Sequence, residues 1–211
     1  MKRKISALLA ALLLGGILSG CGASGGTAQT DAGMQLTPAQ LSEDETELLG
    51  LAGVQPSEFV LYDYQTDENL RCITIQRYIL SDALAWEPAD SGFYQTYSDT
   101  PLAPDGRFAL TGKADSGYTL QFSADGLGDV SHAPDLPESV ATAPTAIGVG
   151  AQLEAVPIVY GEEIPLLVRT FRDKSELYVY DAARDFIDPS RFEGDLFTEA
   201  YTVTFSDTVP E

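Results

Sequence analysis

The sequence predicts a mainly β protein: an antiparallel β-sandwich or a partly open barrel, with one N-terminal helix. Apolar and polar residues alternate in several short segments, and clusters of turn-forming residues separate these segments. Helical patterns do not alternate with the strands, which argues against a parallel sheet built from strand–helix–strand units. With 44% hydrophobic residues among 211, the chain has enough apolar material to bury a core.

Most of the predicted strands belong to three hairpins, each an alternating pair around a polar turn. The pairs are residues 59–64 with 71–80, 108–110 with 118–122, and 166–168 with 177–179. A last alternating strand covers residues 201–205. The less regular strand segments are 83–87, 93–97 and 147–159.

A long loop rich in Pro, Asp, Ser and Ala is predicted over residues 126–144. Whether this loop separates two subdomains stays open at this level. The same holds for the spans 59–80 and 164–181, which have similar patterns; hairpins resemble one another too easily for this to establish a repeat.

The N-terminal helix is predicted over about residues 38–49. Thr37 would be its N-cap, Gln40 would complete a capping box, and Gly50 would follow the last turn. The expected buried stripe consists of Leu41, Leu48 and Leu49.

The first 21 residues have the layout of an export signal. Lys2, Arg3 and Lys4 form a basic start, and residues 5–17 form an apolar run shorter than the roughly 20 residues that a membrane-spanning helix needs. The segment Leu18-Ser19-Gly20-Cys21 that follows resembles the lipobox of bacterial lipoproteins. This resemblance implies cleavage before Cys21 and transfer of a diacylglycerol to its thiol.

The resemblance divides the chain into three parts. Residues 1–20 would be a signal peptide, residues 21–36 a lipidated Cys followed by a flexible tether, and residues 37–211 a single extracytoplasmic β-rich domain. Once Cys21 is acylated, Cys72 is the only remaining thiol, so no disulfide within the chain is expected.

Charge excludes one class of partner. The chain has 12 basic and 32 acidic residues and a net charge of -20, which disfavours binding to the phosphate backbone of a nucleic acid. We therefore expect no nucleic-acid partner. The resemblance to the lipobox implies contact with the membrane through the lipid anchor.

No catalytic residue is predicted, since the predicted domain, residues 37–211, contains neither Gly-x-Ser-x-Gly nor Ser-x-x-Lys. A metal site is also not predicted. Asp125, Asp129, His132 and Asp135 are close in sequence and carry ligand atoms, but their spacing is not that of an EF-hand. With so many acidic residues, such groups arise by chance, and no cofactor is expected.

Aromatic residues offer a second group of candidates. Trp86, Tyr94 and Tyr97 lie close in sequence on either side of a turn, where they would stack on a sugar or grip a peptide. The alternative is that they pack in the core, as large aromatic side chains usually do.

These observations predict a lipoprotein anchored on the extracytoplasmic face of a bacterial membrane. We expect a non-enzymatic role, the binding or scaffolding of an envelope protein or glycan. Two alternatives stay open: an envelope hydrolase that uses a carboxylate pair, and a module that responds to a divalent cation through the Asp125–Asp135 segment.

Overall fold

The computed structural model describes residues 33–51, 59–90, 94–111, 119–124, 127–132, 136–137, 140, 146–174 and 178–210. For residues 59, 119–124 and 127–132 it describes the backbone alone.

The described chain forms two antiparallel sheets that do not close into a barrel, which confirms the predicted fold class. Its strands are β1 (Gln35–Pro38), β2 (Phe59–Gln65), β3 (Cys72–Leu80), β4 (Trp86–Pro88), β5 (Tyr94–Tyr97), β6 (Asp105–Thr111), β7 (Thr119–Ala124), β8 (Leu127–His132), β9 (Ala146–Ala151), β10 (Val156–Pro157), β11 (Glu163–Arg172) and β12 (Phe197–Ser206). The first sheet has the order β10-β1-β2-β6-β7-β8. The second has the order β4-β3-β12-β11-β9, with β5 also paired to β3.

The main core lies between the two sheets. Tyr62 and Phe108 contribute rings from the first sheet, and Ile75, Val203 and Phe205 contribute apolar side chains from the second. These positions alternate along their strands with less buried ones, because one face of each sheet turns inward. The Tyr62 hydroxyl donates to the backbone carbonyl of Leu166 at 2.7 Å and so connects the two layers.

The inner face of the second sheet also carries a buried charged cluster. Glu199 accepts hydrogen bonds from the Arg77 Nε at 2.7 Å and from the Arg169 Nε at 2.8 Å. Glu199 and Arg169 are directly opposite in the β11–β12 register, and Tyr201, two residues further along β12, belongs to the core between the sheets. All three charged side chains are buried.

A short helical segment covers the outer face of the second sheet. It comprises the helix Ala182–Ile187 (α2) and the 3₁₀ turn Pro189–Phe192. The Asp181 side chain accepts from the backbone N–H of Arg184 and caps the helix, while Pro189 starts the 3₁₀ turn. Phe192 packs with Val168 and Ala200 in a second, smaller core. This helix is not predicted by the sequence analysis, since six residues are too few to show a helical period.

The first predicted hairpin does not form, although both of its strands do. β2 belongs to the first sheet and β3 to the second, and residues 66–71 carry the chain from one sheet to the other. Leu70 in this connection is fully buried, and the backbone N–H of Arg71 bonds to the carbonyl of Ser206. The apolar faces of β2 and β3 are thus both buried in the main core, which satisfies the same alternation as a hairpin.

The third predicted hairpin is also wrong. β11 pairs with β12 on one side and with β9 on the other, so its edges are already occupied. Residues 178–180 lie outside any strand and cross the outer face of β9 instead. Because neither span is a hairpin, the similarity of 59–80 and 164–181 has no counterpart in the pairing.

The second hairpin is confirmed, since β6 pairs with β7 from Arg107 opposite Ser123 to Thr111 opposite Thr119. The predicted loop 126–144 contains a strand, because β8 pairs with β7 over its whole length. The predicted segment 147–159 divides into β9 and β10, which lie in different sheets.

The N-terminal helix (α1) is present but covers Glu43–Leu51 rather than about 38–49. Residues Gln35–Pro38 form β1, and Leu36 is fully buried in the main core. The capping box is formed by Ser42 and Glu45: the Ser42 Oγ accepts from the Glu45 N–H, and the Glu45 carboxylate accepts from the Ser42 N–H at 2.7 Å. These hydrogen bonds hold the pKa of Glu45 below its usual value.

The helix starts later than predicted because Thr37-x-x-Gln40 and Ser42-x-x-Glu45 are equally good capping motifs, and the burial of Leu36 decides between them. Starting the helix later frees Leu36 for the strand, where burying a Leu side chain is worth about 1.5–3 kcal/mol. The expected stripe on α1 is not buried, since Leu48 is 66% exposed. β1 also overlaps the end of the span assigned to the tether, residues 21–36, because it begins at Gln35.

Candidate functional site

The three aromatic candidates do not come together on one surface. Tyr94 is buried in the main core between the sheets. Trp86 packs in the smaller core outside the second sheet, where its ring stacks on Phe186 at 5.3 Å and its Nε1 donates to the Phe186 carbonyl. Tyr97 is 59% exposed.

Two of the four metal-ligand candidates lie on strand β8. Asp125 and Asp135 fall outside the described residues, and Asp129 and His132 are on β8, where only the backbone is described. Among the side chains that the structure does describe, no group of three or more His, Cys, Asp or Glu is placed to hold a metal ion.

Cys21 and the lipobox also fall outside the described residues. Cys72 is a free, buried thiol on β3. Within the described part of the chain, no helix is both long enough and apolar enough to cross a bilayer.

A different group of side chains forms the most distinctive described surface. It lies on the outer face of the second sheet and is here called the tyrosine–arginine surface. It consists of Arg172, Tyr178, Tyr180, Arg184 and Arg191. The end of β11, the segment 178–181 that follows, and the helical segment 182–192 position these residues.

Glycines in β9 provide the seat for this surface. Tyr180 lies directly over Gly148 and Gly150: a Cβ on Gly150 would meet the Tyr180 backbone carbon at 2.7 Å, and one on Gly148 would overlap the Tyr180 ring. The same ring stacks on Phe192 with centroids 5.8 Å apart and an interplanar angle of 13°. Only glycine at both β9 positions lets the segment 178–181 approach the sheet this closely.

Arg172 supports the surface from beneath. It is buried and donates to Asp195 at 2.8 Å, and its guanidinium lies over the Tyr178 ring at 4.5 Å from the centroid. Burial alone would lower the pKa of Arg172, but the bond to Asp195 outweighs it, and the pKa lies above its usual value. Arg172 therefore stays charged and fixed.

Asp185 organises the other two arginines. It is buried and accepts from Arg184 at 3.0 Å and from Arg191 at 2.8 Å. Burial raises the pKa of the Asp185 carboxyl, but these hydrogen bonds lower it by more, so that the pKa lies below its usual value. Asp185 remains ionised near neutral pH and keeps both arginines in place.

The two arginines in turn hold Val179. Its backbone carbonyl accepts from Arg184 Nη2 at 3.2 Å and from Arg191 Nη1 at 3.3 Å, while its side chain is 85% exposed. Tyr178 beside it is exposed on one side and has the guanidinium of Arg191 5.6 Å from its ring centre. The arrangement presents an apolar and an aromatic side chain on a segment that is fixed at several points.

Comparison with known proteins found no match among family models, curated proteins or solved structures. The functional interpretation therefore depends on this chain's own residues.

The sequence analysis missed the tyrosine–arginine surface because it assigned residues 177–179 to a strand. Two signals were present. Arginines recur at positions 172, 184 and 191 in an otherwise acidic chain, and two tyrosines flank Val179. Neither signal shows that Gly148 and Gly150 lie beneath Tyr180, because that contact joins distant parts of the chain.

Proposed function

We propose that the chain is a lipid-anchored extracytoplasmic protein whose β-sandwich domain binds or scaffolds an envelope protein or glycan, without enzymatic activity. The anchor is supported by the basic start, the apolar run and Leu18-Ser19-Gly20-Cys21. An acylated Cys with more than one lipid chain gives stable anchoring, whereas a single chain is marginal.

The tyrosine–arginine surface is the part of the domain that we propose makes the contact. The observation that carries this is the fixed backbone of Val179 under an exposed side chain. A segment that is ordered before binding loses less conformational entropy on association, which favours affinity. Tyr and Arg are also enriched among the residues that contribute most to binding energy at interfaces.

A photo-crosslinking experiment on the intact, acylated protein in its own membrane tests this proposal. A diazirine amino acid would replace Val179 in one variant and Leu51 on α1 in a matched control, since Leu51 is also highly exposed, at 79%. We expect a discrete adduct at position 179 and none at position 51. Tyr178→Ala should reduce the yield at 179 by at least about tenfold, in line with the loss of one strongly contributing side chain.

Two results would contradict the proposal. One is the absence of an adduct at position 179. The other is an equal yield at positions 179 and 51, because this would indicate random collisions with neighbouring molecules.

A further inference from the structure

The edge of β9 that faces away from β11, here called the free edge, has an unusual composition for an edge strand. β9 pairs with β11 on one side, and no described strand pairs with its other side. Its sequence, Ala-Ile-Gly-Val-Gly-Ala, contains no charged residue and no proline. Exposed edge strands usually carry one of these, because an unprotected edge offers its backbone to any other strand.

The other edges of the two sheets have such protection. β10 is two residues long and ends in Pro157. β8, at the opposite edge of the first sheet, includes Asp129 and His132 in its sequence. β4 and β5 share the remaining edge and are three and four residues long. Among the described edges, β9 is thus long enough to pair with another strand and has no protecting residue.

The direction of the β9 backbone groups follows from its register. The N–H of Gln152 bonds to the carbonyl of Leu166, one step beyond the pair Ala151–Leu167. Since hydrogen-bonded pairs alternate in an antiparallel ladder, the N–H and C=O groups of Ile147, Val149 and Ala151 point to the free edge. Outside the ladder with β11, no backbone hydrogen bond between described residues reaches these three.

The surroundings of this edge suit an added strand. Tyr180 covers the outer face of β9 at Gly148 and Gly150 and fixes that side. Val149 lies opposite Arg169 in the register and is 42% exposed, while Arg169 is fully buried. A strand beside β9 would cover the exposed part of Val149 with its own alternate side chains.

We propose that the free edge of β9 binds an extended, basic segment of a partner protein as an added β-strand. This inference rests on the binding role proposed above; it adds a second contact to the tyrosine–arginine surface and names the partner class. Backbone hydrogen bonds would supply affinity, and alternate side chains would supply selectivity. The net charge of -20 attracts a basic segment and repels a second copy of this chain.

The test uses the full-length protein and three synthetic peptides labelled with a fluorophore. One peptide alternates Lys and Val, a second alternates Glu and Val, and a third is the Lys–Val peptide with N-methylated backbone amides, which cannot form a strand ladder. Binding is followed by fluorescence anisotropy, and hydrogen exchange of the β9 amides is measured with and without the first peptide. We expect the Lys–Val peptide alone to bind and to protect Ile147, Val149 and Ala151 from exchange.

Val149→Pro removes one outward N–H without touching the bonds to β11, and edge strands tolerate proline at such a position. We expect this substitution to lower the affinity for the Lys–Val peptide by at least about tenfold. The matched variant Val149→Thr keeps the N–H and should bind within about threefold of the wild type. If Val149→Pro does not fold, the N-methylated peptide and the hydrogen-exchange data on the wild type still test whether the peptide binds as an added strand.

Several outcomes would overturn the edge site: equal affinity for the N-methylated peptide, tighter binding of the Glu–Val peptide, no protection of β9, or self-association of this chain through β9. The crosslink at position 179 separates the two proposals. If that crosslink forms while β9 binds no peptide, the edge site is wrong and the proposed function stands; if position 179 gives no adduct, the proposed function itself fails.

Discussion

Glu199 shows how a charged residue is accommodated in the core of this protein. Moving a carboxylate out of water costs several kcal/mol even after relaxation, and attraction between partners repays this only with good hydrogen bonds. Glu199 receives such bonds from Arg77 and Arg169, which approach from the two strands on either side of β12. The cluster therefore forms only when β12 pairs with β3 and with β11 in the observed registers.

Glu199→Gln should lower the free energy of unfolding by about 3–5 kcal/mol, because it leaves two buried guanidinium groups facing a neutral amide. Urea denaturation monitored by circular dichroism measures this. Glu163→Gln is the control, since Glu163 also accepts side-chain hydrogen bonds, from Tyr78 and Thr202, but is exposed. Its expected cost is about 1 kcal/mol or less. Equal losses in the two variants would show that Glu199 is not the anchor of a buried cluster.

At the scale of single elements, the alternation of residues predicts where strands are but not which strands pair. Inward-facing Tyr62 and Ile75 would have the same pattern in a hairpin as in two facing sheets. The pairing depends on the buried connection at Leu70 and on contacts distant in sequence, such as β3 with β12. The local alternation of residues shows neither the buried connection nor the distant pairing.

The start of α1 illustrates the same limit. Two capping motifs lie five residues apart, and the sequence alone provides no reason to prefer Ser42 over Thr37. The preference comes from Leu36, whose burial needs β2 and β10 on either side of β1. The sequence alone does not predict the tyrosine–arginine surface for the same reason, since this surface depends on Gly150 lying under Tyr180.

Leu36→Ala and Leu48→Ala together test this assignment. Leu36→Ala should lower the free energy of unfolding by about 2–5 kcal/mol, because it leaves a cavity in the main core. Leu48→Ala should change it by less than about 0.5 kcal/mol, since Leu48 lies on the exposed helix. Chemical denaturation of both variants gives the comparison. A larger loss for Leu48→Ala would favour the helix position that the sequence alone predicts.

At the scale of the whole molecule, charge and anchoring act together. A domain that carries nearly all of the chain's 32 acidic residues is repelled by anionic lipid head groups, and the repulsion fades over a Debye length of about 8–10 Å. The tether that the sequence predicts after Cys21 would keep the domain away from the head groups. In the proposed arrangement, the tyrosine–arginine surface and the β9 edge would meet their partner outside that zone.

Metabolic labelling with radioactive palmitate tests the lipid anchor, the central claim, most directly. The wild type, Cys21→Ala and the control Cys72→Ala would be compared in the native cells, with membrane fractionation. We predict label and membrane association for the wild type and for Cys72→Ala, because the Cys72 thiol is buried in the fold. Cys21→Ala should take up no label and accumulate as a larger, uncleaved precursor. Labelling of Cys21→Ala at the wild-type level, or an unlabelled wild type, would contradict the account.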